Sequence, residues 1–284
     1  MYHDLKIKAR KYLSRDNPLR KALYKGNRAL AWLRRLKGSW GVLPDFLIIG
    51  TQKGGTTSLY NYLLQHPAVH GATGKETGYF LNSEPREEEY RAYFPLEAIK
   101  AIHQNLLVKA FYTGEASTAY LFDENVPKRV KAVLRGVKLI VLLRRPTERA
   151  FSAYKHWKGL GQEKRTFSKA IEEEFKKYNH GGPTEFEYIR RGLYDEQLSR
   201  WLNHFGREQF FIERSEKMFE NPQQVYDNLL QFLGLASHEI SSFPVVNKGS
   251  DETMSQKTEQ RLRTFYQPHN EKLFERLDWE GWDA

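Results

Sequence analysis

A short apolar run passes directly into a glycine-rich turn and then into a helical pattern. Asp45–Gly50 reads as a buried strand, and the turn after it is Gly50-Thr-Gln-Lys-Gly-Gly-Thr-Thr-Ser58. In a strand–turn–helix unit, backbone N–H groups and the N-terminus of the helix form a site for an anion. A purely structural turn would need neither the lysine nor three consecutive hydroxyls. The segment therefore predicts phosphate binding.

The residue types of the turn divide the work of holding a phosphate. Two glycines let the main chain approach closely, three hydroxyls can donate, and a lysine supplies charge; these candidates are Lys53, Gly54, Gly55, Thr56, Thr57 and Ser58. An ATP-type P-loop reads G-x-x-x-x-G-K-S/T, so its lysine would stand at position 56. Here the lysine lies three residues earlier, inside the loop. The displacement disfavours a kinase, which stays the alternative enzyme class.

The rest of the chain alternates short apolar runs with helical patterns. A helix is predicted over 55–66 and another opening at Pro146, and the strands are predicted at Asp45–Gly50, Val69–Gly71, Tyr112–Glu115, Lys138–Leu143 and Gln209–Glu213. Such alternation is typical of a mostly parallel sheet with helices on both faces. We expect one α/β domain over residues 44–284.

The charge of the chain is concentrated at its start. Of 45 Lys and Arg and 35 Asp and Glu, residues 1–40 hold 12 basic and 2 acidic ones, which equals the whole net charge of +10. Residues 1–43 are predicted to form a basic amphipathic helical arm, with an apolar stripe that includes Leu19, Leu23 and Leu30. The stripe either packs on the body or docks on an anionic membrane or an acidic partner.

Composition excludes several classes of function. The chain has no cysteine, so a disulfide scaffold, a thiolate zinc site and a cysteine nucleophile are excluded. No apolar run is long enough to span a bilayer and no signal peptide is evident, so we expect a cytoplasmic protein, peripheral at a membrane if the arm binds one. The 9 histidines show no metal-ligand spacing, and no basic aromatic stripe predicts a nucleic-acid partner.

A second cationic site follows the strand Lys138–Leu143. Arg144 ends that strand, and Pro146 opens a helix on which Arg149 and Ser152 lie three residues apart. Because the carboxyl ends of parallel strands meet at one edge of a sheet, this arginine is expected beside the glycine-rich turn. The strand ends in Arg144-Arg145 with no aspartate for Mg²⁺, which again disfavours a kinase.

Motifs along residues 44–280 together resemble the sulfotransferases that use 3′-phosphoadenosine 5′-phosphosulfate (PAPS), above all the heparan-sulfate type and its bacterial relatives. They are the glycine-rich turn, Lys75-Glu-Thr-Gly-Tyr-Phe80, Gly114-Glu-Ala-Ser-Thr-Ala-Tyr120, Arg144-Arg-Pro-Thr-Glu-Arg-Ala-Phe-Ser-Ala-Tyr154 and Arg191-Gly-Leu-Tyr194. The resemblance implies a P-loop-like three-layer fold, PAPS as co-substrate, adenosine 3′,5′-bisphosphate (PAP) as product, no metal, and a glycan or small hydroxylated acceptor. It also implies that Arg144 and Ser152 bind the 3′-phosphate.

Sulfuryl transfer needs charge stabilisation on the leaving phosphate and removal of a proton from the acceptor. Lys53 is our candidate for the first task. The resemblance aligns Glu76 with the catalytic base of the heparan-sulfate enzymes, and we expect its side chain to be partly buried beside Tyr79-Phe80. Cytosolic sulfotransferases use a histidine instead, so His66 and His70 stay in view, although His66 reads as a cap or core residue.

The chain also departs from the resemblance. Where the heparan-sulfate enzymes have Glu-Lys after the third strand, it has Glu115-Ala116, so a lysine that they place near the acceptor is missing. Acceptor identity, and O- against N-sulfation, therefore stay open. Asn247-Lys-Gly249 is a candidate for a simple lid. The alternative from another class is a peripheral membrane or docking protein with a vestigial nucleotide site.

Overall fold

A computed structural model describes residues 40–107, 110–240, 242–244 and 252–282. Most of the predicted basic arm and the candidate lid at 247–249 lie outside these residues. The described chain contains a five-stranded sheet of β1 (Phe46–Gly50), β2 (Val69–Gly71), β3 (Tyr112–Ala116), β4 (Lys138–Leu143) and β5 (Phe210–Arg214), in the order β2-β3-β1-β4-β5. Every adjacent pair of strands is parallel.

Helices connect the strands, as parallel pairing requires. The α-helices are α1 (Thr56–Leu63), α2 (Glu87–Arg91), α3 (Glu97–Ile102), α4 (Val126–Val133), α5 (Pro146–Gly159), α6 (Phe167–Asn179), α7 (Tyr194–Leu202), α8 (Ser215–Glu220), α9 (Pro222–Leu233) and α10 (Gln256–Leu277). Short 3₁₀ turns lie at Tyr79–Leu81, Arg190–Gly192 and Arg207–Gln209, and a π-helical turn at His103–Leu107.

The middle of the sheet is buried on both faces because β1 and β4 are apolar over almost their whole length. In β1, Leu47 and Ile49 face one layer of helices, which includes α4, α7 and α10. Phe46 and Ile48 face the opposite layer, formed by α1 and α9. This alternation is the period of a strand expressed in a run without polar residues. The predicted three-layer α/β fold with a parallel sheet is confirmed.

The predicted elements differ from the observed ones mainly at their ends. The helix predicted over 55–66 spans Thr56–Leu63, because Gly55 has a left-handed φ of 86° and lies outside it. The strand predicted at Gln209–Glu213 is shifted by one residue, to Phe210–Arg214. At the start of the described chain, Val42 is buried and its N–H donates to the carbonyl of Pro95 at 2.9 Å. Residues just before position 44 thus already pack on the body.

Candidate active site

The candidate residues gather along one edge of the sheet. Since all five strands are parallel, their carboxyl ends lie on the same side, and each continues into a loop or helix there. The turn after β1 carries Lys53, and the segment after β2 carries Lys75 and Glu76. Arg144 directly follows β4, and α8 begins directly after β5. Residues that are far apart in sequence are thereby placed along one edge of the sheet. The region between the segments that follow β1, β2, β4 and β5 is called the cleft.

Hydrogen bonds fix the shape of the turn after β1. The N–H of Gly54 donates to the carbonyl of Thr51 at 3.0 Å, and Ser215 donates its hydroxyl to the carbonyl of Gly54 at 2.8 Å. Lys53 has a φ of 71° and Gly55 one of 86°. Two left-handed residues within three positions turn the chain sharply into α1. In the described part of the chain, no side chain caps that helix, so its first N–H groups stay available to an anion.

The glycines of the turn are required by their surroundings. A Cβ at position 54 would lie 2.7 Å from the carbonyl oxygen of Leu142, and one at position 55 would lie 2.5 Å from the Cε of Met218. Both separations are shorter than carbon atoms tolerate, and position 55 also has the left-handed φ that favours glycine. The turn is therefore packed against β4 on one side and α8 on the other.

Arg144 joins the two cationic motifs. Its Nη1 donates to the carbonyl of Lys53 at 3.1 Å, across 91 positions of sequence. The hydroxyl of Tyr194 donates to the carbonyl of Arg144 at 2.8 Å, so this buried tyrosine helps to fix the backbone position of the arginine. The expectation that Arg144 lies beside the glycine-rich turn agrees with this geometry.

The electrostatics of the cleft favour an anion. Burial lowers the pKa of Lys53, and the nearby cations Arg144, Lys75 and Lys155 lower it further. Positive charges that repel one another in the free protein gain stability from a bound anion, which neutralises them. The cluster is therefore suited to a ligand with several negative charges.

The helix α5 places its polar residues differently. Ser152 is half-buried two turns into the helix, and the described residues show no hydrogen bond from it to Arg144. Arg149 is fully buried and donates to the carbonyl of Tyr188, which makes it a structural residue. The backbone N–H of Arg145 donates to Glu216 at 3.1 Å. Of the three, burial excludes only Arg149 from contact with a ligand, since Ser152 and Arg145 are both half-buried.

Lys75 and Glu76 lie across the cleft from the turn. The ammonium of Lys75 donates to the hydroxyl of Thr57 at 2.7 Å and to Oε1 of Glu76 at 3.2 Å. The expected partial burial of Glu76 is wrong, because its side chain is 53% exposed. The aromatic residues Tyr79 and Phe80 turn into the core instead of covering it. The carboxylate is therefore open to an incoming acceptor.

A buried carboxylate within β3 has surroundings that the sequence did not reveal. Glu115 is fully buried and accepts hydrogen bonds from the hydroxyls of Tyr90 at 2.8 Å, Ser117 at 2.7 Å and Tyr120 at 3.0 Å, and from the N–H of Thr77 at 3.0 Å. Burial raises the pKa of Glu115. The hydroxyls of Ser117 and Tyr120 are thus occupied with this carboxylate.

The two histidines kept in view as alternative bases lie in packed surroundings. The ring of His66 receives the N–H of Ala68 and lies 3.1 Å from the carbonyl of Ala236, which agrees with a cap or core residue. His70 stacks on Phe111 with ring centroids 4.4 Å apart. Burial lowers the pKa of both histidines, which favours their neutral rings. Among the described contacts, neither histidine touches the glycine-rich turn after β1.

In residues 40–107, 110–240, 242–244 and 252–282 no group of three or more His, Cys, Asp or Glu side chains is arranged to hold a metal ion. Within the same ranges, no helix combines the length and apolarity needed to cross a membrane.

Fold and site together define an α/β protein with a glycine-rich turn, suited to an anion, at the carboxyl edge of a parallel sheet. The chain belongs to the sulfotransferase family, because the family model described as "Sulfotransferase domain" matches residues 43–283. The predicted family is thereby confirmed. A crystal structure of a sulfotransferase from Alicyclobacillus acidocaldarius is similar with a TM-score of 0.68 and 27% identity, over 86% of this chain and 100% of that one.

Curated relatives include heparan-sulfate enzymes. Heparan sulfate glucosamine 3-O-sulfotransferase 5 of Mus musculus is 32% identical over 201 residues, which is 68% of this chain and 54% of that protein. Bifunctional heparan sulfate N-deacetylase/N-sulfotransferase 4 of the same species is 29% identical over 69% of this chain and 23% of its own length. The chain therefore spans only about a quarter to a half of the length of these two relatives.

Proposed function

We propose that the protein transfers a sulfuryl group from PAPS to a hydroxyl or amine of a carbohydrate acceptor. The observation that carries the proposal is the contact of Arg144 with the carbonyl of Lys53, which brings the two cationic motifs together at the carboxyl edge of the sheet. The similarity to enzymes that are named for heparan sulfate supports a carbohydrate as acceptor. PAPS carries phosphate at two positions, and the cleft offers a cationic group for each.

The turn after β1 would hold the 5′-phosphate that departs. The sulfur–oxygen bond to this phosphate breaks while a bond forms from sulfur to the acceptor atom, so negative charge grows on the bridging oxygen. Lys53, with its ammonium, and the first N–H groups of α1, which no described side chain caps, would stabilise that charge. Stabilising it there lowers the barrier more than it stabilises the bound donor.

Glu76 would take the proton of the acceptor. Its exposed carboxylate lies beside Thr57 through their shared contact with Lys75. An acceptor hydroxyl or amine between Glu76 and the donor can lose its proton as it attacks sulfur. The products are the sulfated acceptor, PAP and a protonated Glu76, which returns its proton to water.

Arg144 and Ser152 would bind the 3′-phosphate, a group that PAPS and PAP have and ADP lacks. We expect calorimetry to show PAP binding at least about 30-fold tighter than ADP, because a buried arginine–phosphate contact contributes roughly 2 kcal/mol. Arg144→Ala removes this preference. The exposed Arg135→Ala leaves it intact and serves as the matched control.

Two outcomes would contradict the proposal. Equal affinity of the wild-type protein for PAP and ADP sinks the assignment of Arg144 and Ser152. Absence of labelled product from sulfur-labelled PAPS, across a panel of N-sulfated and unsulfated glycan oligosaccharides, sinks the carbohydrate acceptor. Binding of ATP with Mg²⁺ in place of PAP would favour the kinase alternative.

A further inference from the structure

Lys75 lies between the phosphate turn and the candidate base. Its ammonium is 2.7 Å from the hydroxyl oxygen of Thr57 and 3.2 Å from Oε1 of Glu76, and its side chain is 23% exposed. Thr57 belongs to the first turn of α1, whereas Glu76 belongs to the segment after β2. One cation therefore spans the two halves of the cleft.

The contact with Thr57 orients a hydrogen-bond donor. An ammonium can only donate, so it uses a lone pair of the Thr57 oxygen. The hydroxyl proton of Thr57 is then directed away from Lys75, and it is more polarised because the oxygen already accepts a charged hydrogen bond. A phosphate or sulfuryl oxygen at the start of α1 would receive that proton.

The contact with Glu76 orients an acceptor of protons. The hydroxyl of Thr118 also reaches this carboxylate, at 3.5 Å, and both described contacts fall on Oε1. A half-exposed glutamate on a loop would otherwise spread over many rotamers. With Oε1 held from two sides, Oε2 is the oxygen that faces an acceptor.

The backbone beneath Lys75 is itself anchored to β3. The N–H of Ala116 donates to the carbonyl of Lys75 at 3.0 Å, and the N–H of Thr77 donates to Glu115 at 3.0 Å. The N–H of Gly78 donates to the hydroxyl of Ser117 at 3.0 Å. These three hydrogen bonds, at positions 75, 77 and 78, hold the backbone from which the side chain of Lys75 extends.

We propose that Lys75 is a positioning residue that sets the distance and direction between Glu76 and the sulfuryl group held at Thr57. The inference rests on the proposed function and names a role for a residue which that function does not use. Loss of the ammonium lets the carboxylate swing out of line, and a displacement of about 1 Å can cost roughly 100-fold in rate. Binding of PAP, which has no sulfuryl group, depends on it far less.

The absence of cysteine from the chain permits a chemical rescue. In Lys75→Cys, the only thiol is at position 75, and 2-bromoethylamine converts it to a lysine analogue with the ammonium restored. We expect Lys75→Cys to lower kcat about 10- to 100-fold with PAPS and a glycan acceptor. Aminoethylation restores most of the rate, whereas alkylation with iodoacetamide, which adds a neutral amide, does not.

Controls separate positioning from a loss of structure. PAP affinity and melting temperature should stay near wild type in Lys75→Cys, because the side chain is partly exposed and its partners lie at the surface of the cleft. The rate of Lys128→Cys, at an exposed position on α4, should change with neither reagent, although both modify its thiol. In a Glu76→Gln background, Lys75→Cys should cause little further loss, because it acts through that carboxylate.

The outcomes are distinguishable. If wild-type protein transfers no sulfuryl group to any acceptor, the proposed function fails and the inference falls with it. If the wild type is active but Lys75→Cys keeps its rate, or if aminoethylation restores nothing, the role of Lys75 is overturned alone. An undiminished effect of Lys75→Cys in the Glu76→Gln background would overturn it as well.

Discussion

At the scale of single residues, the proposed role of Lys53 predicts that ligand binding is coupled to the uptake of protons. Its pKa is lowered by burial and by the cations Arg144, Lys75 and Lys155, and its charged form is the one that binds an anion. We therefore expect affinity for PAP to be fully present below this lowered pKa and to be lost as the pH rises through it. Because a bound phosphate favours the charged lysine, binding should take up protons near that pH.

We expect calorimetry of PAP binding in buffers of different ionisation enthalpy to show proton uptake at alkaline pH. Lys53→Met should abolish that uptake and weaken binding, since the variant has no ammonium to protonate. Its melting temperature should not fall, because a buried charge repelled by its neighbours is removed. Lys128→Met is the control, and a PAP affinity that stays constant up to pH 10 would argue against this role of Lys53.

At the scale of elements, Glu115 ties the loop after β2 to β3. Its carboxylate gathers donors from both segments and from α2, so the loop that carries Lys75 and Glu76 is held by one buried group. Burial raises the pKa of Glu115 above its ordinary value of 4.5. The folded state thus binds the proton more tightly than the unfolded state does, and its stabilising contribution falls as the pH rises through the folded pKa.

Glu115→Gln replaces the carboxylate by a neutral amide of similar shape, with an NH₂ group where four donors converge. We expect it to lower the free energy of unfolding by about 1–3 kcal/mol at pH 5, because donors are left unpaired. Urea unfolding from pH 5 to pH 8 should show this deficit shrink, since only the wild type loses stability with pH. Glu97→Gln, at an exposed position on α3, is the control for the substitution itself. A stability deficit of Glu115→Gln that widens as the pH rises would contradict the prediction.

The sequence predicts local structure well at this scale and contacts between elements poorly. All five strands were predicted because each is an unbroken apolar or β-prone run, and the turn after β1 was identified by its glycines and hydroxyls. The contact of Lys75 with Thr57 joins residues 18 apart, and those of Glu115 span up to 38. Periodicity carries no information at such separations. The exposure of Glu76 was missed because Tyr79 and Phe80 turn inward, which their order in the chain does not specify.

At the scale of the whole molecule, charge separates the arm from the body. Residues 1–40 hold 12 basic and 2 acidic residues, and the remainder of the chain is balanced. We expect the full chain to sediment with vesicles that contain phosphatidylserine and to be released by added salt. Deletion of residues 1–39 should abolish this association and leave PAP affinity unchanged, because the described cleft begins after that segment.

Two controls accompany the comparison of the full chain with the variant that lacks residues 1–39. Vesicles of phosphatidylcholine alone test whether the association depends on anionic lipid, and the melting temperature of the deletion variant tests whether the body is intact. Equal sedimentation of the full chain and the deletion variant would assign membrane binding elsewhere. A lower melting temperature without any change in sedimentation would instead favour packing of the apolar stripe on the body.

Because the five strands run in the same direction, the edge of the sheet where they begin carries none of the proposed site residues. Every group to which we assign chemistry lies where the strands end, so we expect the opposite side, where β4 begins after Leu134–Val137, to contact neither donor nor acceptor. A fusion partner, an affinity tag or a surface linker joined there would immobilise the protein with its cleft facing outward. We therefore expect protein that is attached to a support at this edge of the sheet to keep its activity.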